Sequence, residues 1–402
     1  MSRGMWKDVR RKTPLYVGFG ATGVALTIPG AILPLLLRQW VMSDARGGVL
    51  LFCFYTMGTL GSYLARGRMN RSIARGALVT AAGALCLGWA GRWTAYSAIA
   101  LYGLGLSMTM TSISLLLSQR FPVERRLVLT RLNLVWAIGA ALGPWIALHA
   151  ARGTSFGERQ AILHAQHVLD GVAVFFVVAA AWGNWMEDSP TAVEARIPVG
   201  RNTREGSGVL GIPWPLLVLI FGATGVDAAA GGWLTAYAQR AGDSLGITIG
   251  AATFLWVGSL VSRVAHSTKW AARLPERAVL GASMVSMTAA LVLLVAWPAG
   301  MATMVAAAVL GLAAGPVYPL VLAAALRHRE NSTVFAIAGV GASLLPLATG
   351  GVSTWAHSLR AGLGVPLAAA VVMMIVVMAS RSALEGKGEA VTEAFIGALQ
   401  EK

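Results

Sequence analysis

The chain has 402 residues, 56% of them hydrophobic and only 12% charged, with a formal net charge of +15. A soluble globular chain carries about a quarter charged residues. This one cannot cover itself with a polar surface, which excludes a free soluble enzyme or binding domain.

The N-terminal "MSRGMWKDVRRK" is basic and leads into an apolar run too long for the core of a cleavable signal peptide, so the first helix is expected to be retained. Apolar runs of about 18 residues or more read as membrane-spanning helices. They predict twelve: 14–38, 47–66, 73–91, 95–118, 128–150, 166–186, 213–238, 247–268, 278–297, 301–326, 333–357 and 362–380, the sixth and eighth being the weakest. Cys53 and Cys86 fall inside such runs and make neither a disulfide framework nor a metal site. The segment "MEDSPTAVEARIPVGRNTREGSGVLGIPW" (186–214) is the longest without a span. It divides the chain into an N-terminal six-helix bundle (1–186), a linker (187–212), a C-terminal six-helix bundle (213–383) and a tail (384–402). In the tail, Val391, Phe395 and Leu399 recur every four residues, which predicts an amphipathic helix on the membrane or the bundle.

Lys and Arg sort by side. Segments on the side of the N-terminus hold 23 of the 32, the opposite side holds 7, and Arg131 and Arg263 lie inside spans. Basic residues accumulate on the cytoplasmic side, so both termini are expected there, in a multi-pass protein of the cytoplasmic membrane whose first partner is the lipid bilayer. The basicity is topological, and no charged soluble domain exists to bind nucleic acid.

The two bundles repeat one another. "FGATGV" occurs at Phe19–Val24 and again at Phe221–Val226, an offset of 202. "GTLGSYLA" (Gly58–Ala65) matches "GSLVSRVA" (Gly258–Ala265) at 200, and "IGAALGP" (Ile138–Pro144) matches "VGASLLP" (Val340–Pro346) at 202. Ordered pairs at nearly one offset mean duplicated halves, and both halves start on the same side. Rocking two such halves exposes a central cavity to each side in turn. Gly139, Gly143 and Gly341 allow close helix approach, and Pro144 and Pro346 allow bends, which makes them conformational candidates.

Together these features resemble the major facilitator superfamily across essentially the whole chain. "GSYLARGRMNR" (Gly61–Arg71) is similar to that family's glycine-led basic loop, with Gly61 and Arg66 in place but Ala65 where an acidic residue is usual. "GAALGP" (Gly139–Pro144) resembles its fifth-helix element, while Ile99 stands roughly where an arginine is common. "PGAILPLLL", "GLAAGPVYPLVLA" and "AGVGASLLPLATGGVS" are similar to the fucose–proton symporter-like branch. The resemblance implies an all-α membrane protein of twelve helices in two pseudo-symmetric bundles. It also implies secondary transport of a sugar or similar small polar solute with protons, and a protein that acts as a monomer without a cofactor.

An ionisable group inside the membrane is costly and is a functional candidate by default. Asp227 follows the second "FGATGV", where Ala25 follows the first, and lies roughly 2 Å from the middle of its helix. Desolvation penalises the charged carboxylate, which suits it to taking up and releasing a proton; it can equally pair with a donor such as Arg263. Arg263, on the order of 8 Å from its helix midpoint, can pair with Asp227, bind an anionic or hydroxylated solute, or snorkel to the boundary. Arg131 lies nearer a helix end, where snorkelling is favoured. Asn133 and Trp136 suit a polar solute, as do Trp233, Tyr237, Trp256 and Tyr318, although interface anchoring and core packing use the same residue types. Thr22 and Thr109 can line the cavity or bond their own helix. The six histidines show no metal-ligand spacing, and no phosphate-binding loop is present. Two other readings stand beside sugar–proton symport: a proton-driven efflux antiporter for an amphipathic compound, favoured by the shortage of deep amides, and a non-transporting receptor with this fold.

Overall fold

The computed structural model describes residues 3–121, 125–152, 157–185, 212–241, 245–266, 274–297, 300–328 and 333–380. The tail and all of the linker but Ile212 lie outside them. Among the described residues every regular element is an α-helix: α1 (Arg3–Gln39), α2 (Asp44–Leu64), α3 (Met69–Gly88), α4 (Ala95–Arg120), α5 (Arg125–Arg152), α6 (Gly157–Trp185), α7 (Trp214–Arg240), α8 (Leu245–His266), α9 (Glu276–Ala296), α10 (Met301–His328), α11 (Thr333–Trp355), α12 (Leu359–Gly362) and α13 (Gly364–Ala379).

Lipid offers backbone groups no partner, so each spanning segment closes its hydrogen bonds within itself. That is why helices and apolar runs nearly coincide. Eleven segments are long and apolar enough to cross a membrane, the last being α12 and α13 taken together across Leu363. The twelfth span is α3, whose first two turns carry Arg71 and Arg75. Its small, mostly buried face lets it sit against α4 and α6. The sixth and eighth runs, weakest in sequence, form full-length helices.

The halves pack by the same scheme. In the first, α1 lies on α5, α2 on α4, and α3 on α4 and α6. In the second, α7 lies on α11, α8 on α10, and α9 on α10 and α13. Glycines set the spacing of the equivalent seams. A Cβ on Gly139 would overlap the carbonyl oxygen of Gly20, and one on Gly341, 202 positions later, would overlap that of Phe221. Gly103 and Gly311 meet the carbonyls of Phe54 and Leu255 in the same way. The repeated "FGATGV" is therefore the packing face of the first helix of each half: Gly23 closes on α5 and Gly225 on α11.

We call the face where α1 and α7 begin the near face and the opposite one the far face. α1 and α7 are the most enclosed spans, because they lie between the halves.

Gly139→Ala and Gly341→Ala should each lower stability by roughly 1–3 kcal/mol, as overpacked sites do. Gly171→Ala in α6, where a Cβ meets nothing within 4 Å, should leave it unchanged. Thermal unfolding of the purified protein in detergent checks all three.

Candidate transport site and gate

Among the described residues the halves meet most extensively at three helix pairs: α1 with α7, α2 with α11 and α5 with α8. Among the described residues, α4 and α5 make no extensive contact with α10 or α11.

On the far face the contact is tight. Gly30 of α1 and Gly231 of α7 meet backbone to backbone, and Gly350 of α11 lies on the backbone of Asp44. Asp44, buried at the start of α2, accepts hydrogen bonds from both terminal nitrogens of Arg240 at the end of α7, at 2.5 and 2.6 Å. Its Oδ2 also accepts the Ser353 hydroxyl of α11 at 2.5 Å. The neighbouring Ala45 N–H donates to Thr354 Oγ1 at 2.7 Å. The bidentate geometry is the strong form of a charge-assisted bond, and the α2 N-terminus favours the carboxylate. These contacts latch one half to the other. Outside the latch, an open depression of about 640 Å³ lies between the ends of α1 and α7.

Midway through the bundle the halves meet less completely. The Thr56 hydroxyl donates to Ser343 Oγ at 3.0 Å, linking α2 to α11. Trp136 of α5 and Trp256 of α8 meet edge to face with centroids 6.0 Å apart. Gly231 makes this possible, since a Cβ there would press on the Trp256 ring.

Asp227 stands at the midpoint of α7, half-buried. Among the described residues no hydrogen bond or ion pair within 4 Å reaches its carboxylate. Its charge acts on Arg263 of α8 and on Tyr55 of α2. At the equivalent position of the first half, Ala25 is fully enclosed and its carbonyl accepts the Tyr102 hydroxyl at 2.7 Å. Gly103 pairs with Gly311 in the repeat, so Leu310 stands where Tyr102 would be. The first half plugs the position and the second leaves a carboxylate there.

Arg263 lies about 11 Å from the α8 midpoint toward the near face, yet its side chain does not snorkel outward. Helical side chains lean toward the N-terminus of their helix, which for α8 is toward the far face. The guanidinium accordingly lies 5.2 Å from the Trp136 ring, with Nε donating to Ser259 Oγ at 3.3 Å. Arg263, Asp227, Trp136 and Trp256 thus form one cluster, with Tyr55 beside it. Asn133 is exposed one turn from Trp136 on the same side of α5, and Val17 is half-exposed on α1. Both are accessible on the near-face side of the cluster.

The other candidates lie elsewhere. Trp233 is fully buried between Gly47 and Gly350 and donates to the Pro346 carbonyl at 3.0 Å. Tyr237 donates to the Leu294 carbonyl of α9. Thr22 and Thr109 are buried and donate to Phe19 and Gly105 of their own helices. Arg131 is exposed on the side of α5 away from Trp136, and Tyr318 is half-buried on α10. Gly61 and Gly143 pack on Leu104 and Thr27, Pro144 lies within α5, and Arg66 stacks on Tyr63 at 3.8 Å. Tyr55, Asp44, Arg240 and Ser353 were not singled out from sequence. An acid in a first helical turn and a base in a last one are ordinary end residues, and only their meeting across the halves makes them a latch.

The major facilitator superfamily model matches residues 15–350. The chain belongs to that superfamily. No curated protein matches it in sequence. Among solved structures it is similar to the E. coli xylose transporter XylE in a partially occluded inward-open conformation (10% identity, 91% of this chain and 97% of that one, TM-score 0.70). It is also similar to the nucleoside transporter NupG (11%, 93% and 99%, 0.69). A third is the E. coli fucose:proton symporter FucP in the outward conformation (15%, 91% and 97%, 0.58). At these identities the likeness is one of fold. This facilitator chain is a multi-pass membrane transporter and not an enzyme.

Asp44→Asn should open the far face by removing the charge that Arg240 grips, a cost of about 1–3 kcal/mol given that Arg240 is partly exposed. Spin labels at Val41 and Trp355, with Cys53 and Cys86 replaced, should report a longer far-face distance in the variant.

Proposed function

We propose that the protein is a secondary active transporter of the cytoplasmic membrane that moves a small polar, sugar-like solute together with protons by alternating access. The observation that carries this reading is the Asp227 carboxylate, set at the middle of α7 between the halves with no hydrogen bond or ion pair among the described residues. A lone carboxylate at that depth is where a proton can be held while the cavity faces one side and released when it faces the other.

The near face carries most of the Lys and Arg, which supports a cytoplasmic near face. The chain then stands inward-facing, latched at Asp44 outside and parted within. The larger overlap with inward-open XylE than with outward FucP agrees with this. In the reverse conformation the latch separates and the near-face ends of α4, α5, α10 and α11 come together, rocking about the glycine contacts of α1 with α7 and α2 with α11. The aromatic lining of Trp136 and Trp256 also suits an amphipathic solute exported against protons; direction of accumulation separates the two.

Asp227→Asn should abolish proton-driven accumulation while the protein remains inserted and folded and still exchanges solute at equal pH on both sides. Proteoliposome assays with a solute that stabilises the purified protein, run with and without an imposed proton gradient, test this. Undiminished gradient-driven uptake by the variant refutes the coupling role.

A further inference from the structure

We infer that the transported solute carries a carboxylate and that Arg263 is the residue that selects it. This deepens the transport reading above and rests on it.

Two arginines near the joints between the halves are held in different ways. Arg240 is gripped on both terminal nitrogens by Asp44. Arg263 uses only Nε, on Ser259 Oγ, and lies over the Trp136 ring. Its two terminal nitrogens meet no acceptor and no carboxylate within 4 Å among the described residues. An unpaired guanidinium inside a membrane protein is expensive. Its planar fork of donors matches a carboxylate in two parallel hydrogen bonds.

A second group points the same way. Trp136 is 7% exposed, and its Nε1–H is buried without an acceptor. Buried donors are almost always bonded, so an orphan asks for a partner. Trp136 Nε1 and the free end of Arg263 are donors on neighbouring side chains, and among the described residues Asp227 is the carboxylate whose charge acts on Arg263. The cluster is therefore short of an acceptor. A carboxylate supplies acceptor oxygens, and the edge-to-face pair of Trp136 and Trp256 leaves aromatic surface for the apolar part of the same molecule.

Charge explains why such a solute travels with a proton. Asp227 and Arg263 together are neutral. An arriving carboxylate leaves one uncompensated negative charge in a poorly solvated site, and a proton on Asp227 removes it. No bond in the solute is made or broken; one proton moves with each anion. The groups facing Asp227 are Arg263 from α8 and Tyr55 from α2. Of the other helices packed on α7, α11 and α13 carry no titratable side chain; α1 and α10 carry charged residues only toward their ends (Arg3 to Lys12 and Arg38 on α1, Arg327 and His328 on α10), with Tyr16 and Tyr318 as their other titratable groups. The carboxylate of the solute should therefore bind more tightly as pH falls, by up to about tenfold per pH unit for one linked proton.

The test uses the full-length protein in nanodiscs with glucuronate, lactate and benzoate, each beside its uncharged carboxamide. At least one carboxylate should bind saturably and tighten with falling pH, and its amide should bind at least about tenfold more weakly. Arg263→Gln should remove that preference, Arg263→Lys should keep part of it because charge remains without the fork, and Asp227→Asn should keep binding but lose its pH dependence. Amides binding as well as acids, or no carboxylate binding better to the native protein than to Arg263→Gln, overturns the inference. If a neutral sugar is then accumulated with protons in proteoliposomes, the transport reading stands alone. If a carboxylate binds through Arg263 but a proton gradient drives no uptake, the anion site stands and proton coupling fails.

Discussion

Lipid tails are as apolar as leucine, so two helices in a bilayer gain little by burying leucine faces against each other. What holds them is close contact of backbone with backbone, and that contact needs positions without a side chain. Gly20, Gly23 and Gly139 in the first half, and Gly225 and Gly341 in the second, are such positions. The rest depends on these seams: they set the helix spacing within each half, and the contacts between the halves are built on that spacing.

The joints are of two kinds. At Gly30 with Gly231 and Gly48 with Leu347, small residues bring α1 to α7 and α2 to α11 without hydrogen-bonded side chains. Apolar contacts of this kind can slide and tilt at little cost. At Asp44 the contact is directional and charged, with Arg240, Ser353 and Thr354 closing on a single helix start. Polar groups in that position are satisfied in one arrangement and lost in another, which gives the far face two distinct states rather than a continuum.

The central cluster follows the opposite rule. The latch satisfies its charges, whereas Asp227, the fork of Arg263 and Trp136 Nε1 have no hydrogen-bond partner among the described residues. Fully bonded, they would be a structural network. Left short of acceptors, they have the character of the site proposed above, in which a ligand would complete the bonding. Duplication sharpens the contrast, because the same seam at Ala25 is packed shut under Tyr102.

The twelve spans, the repeat at offsets of 200 to 202 and the placing of the Asp227 carboxylate at mid-helix were all legible in the sequence, because bilayer thickness, duplication and the position of a charge within an apolar run are properties of single segments. Most boundaries shifted by only a few residues; the largest shifts are at the starts of α1 and α6, which begin at Arg3 and Gly157 rather than near residues 14 and 166. Partnerships were not legible. Trp233 and Tyr237 look in sequence like solute-stacking aromatics, and the fold spends them on the carbonyls of Pro346 and Leu294. Asp44 and Arg240, 196 residues apart, look like routine helix ends and become a latch. Arg263 looks equally suited to the boundary or the interior, and the tilt of side chains along α8 turns it inward over Trp136. The sequence by itself determined which segments cross the membrane and where a charge is trapped, since hydropathy and charge are properties of each residue alone. Only the tertiary structure decided which polar groups are satisfied and which are left waiting, since a hydrogen bond belongs to two residues that the chain does not place side by side.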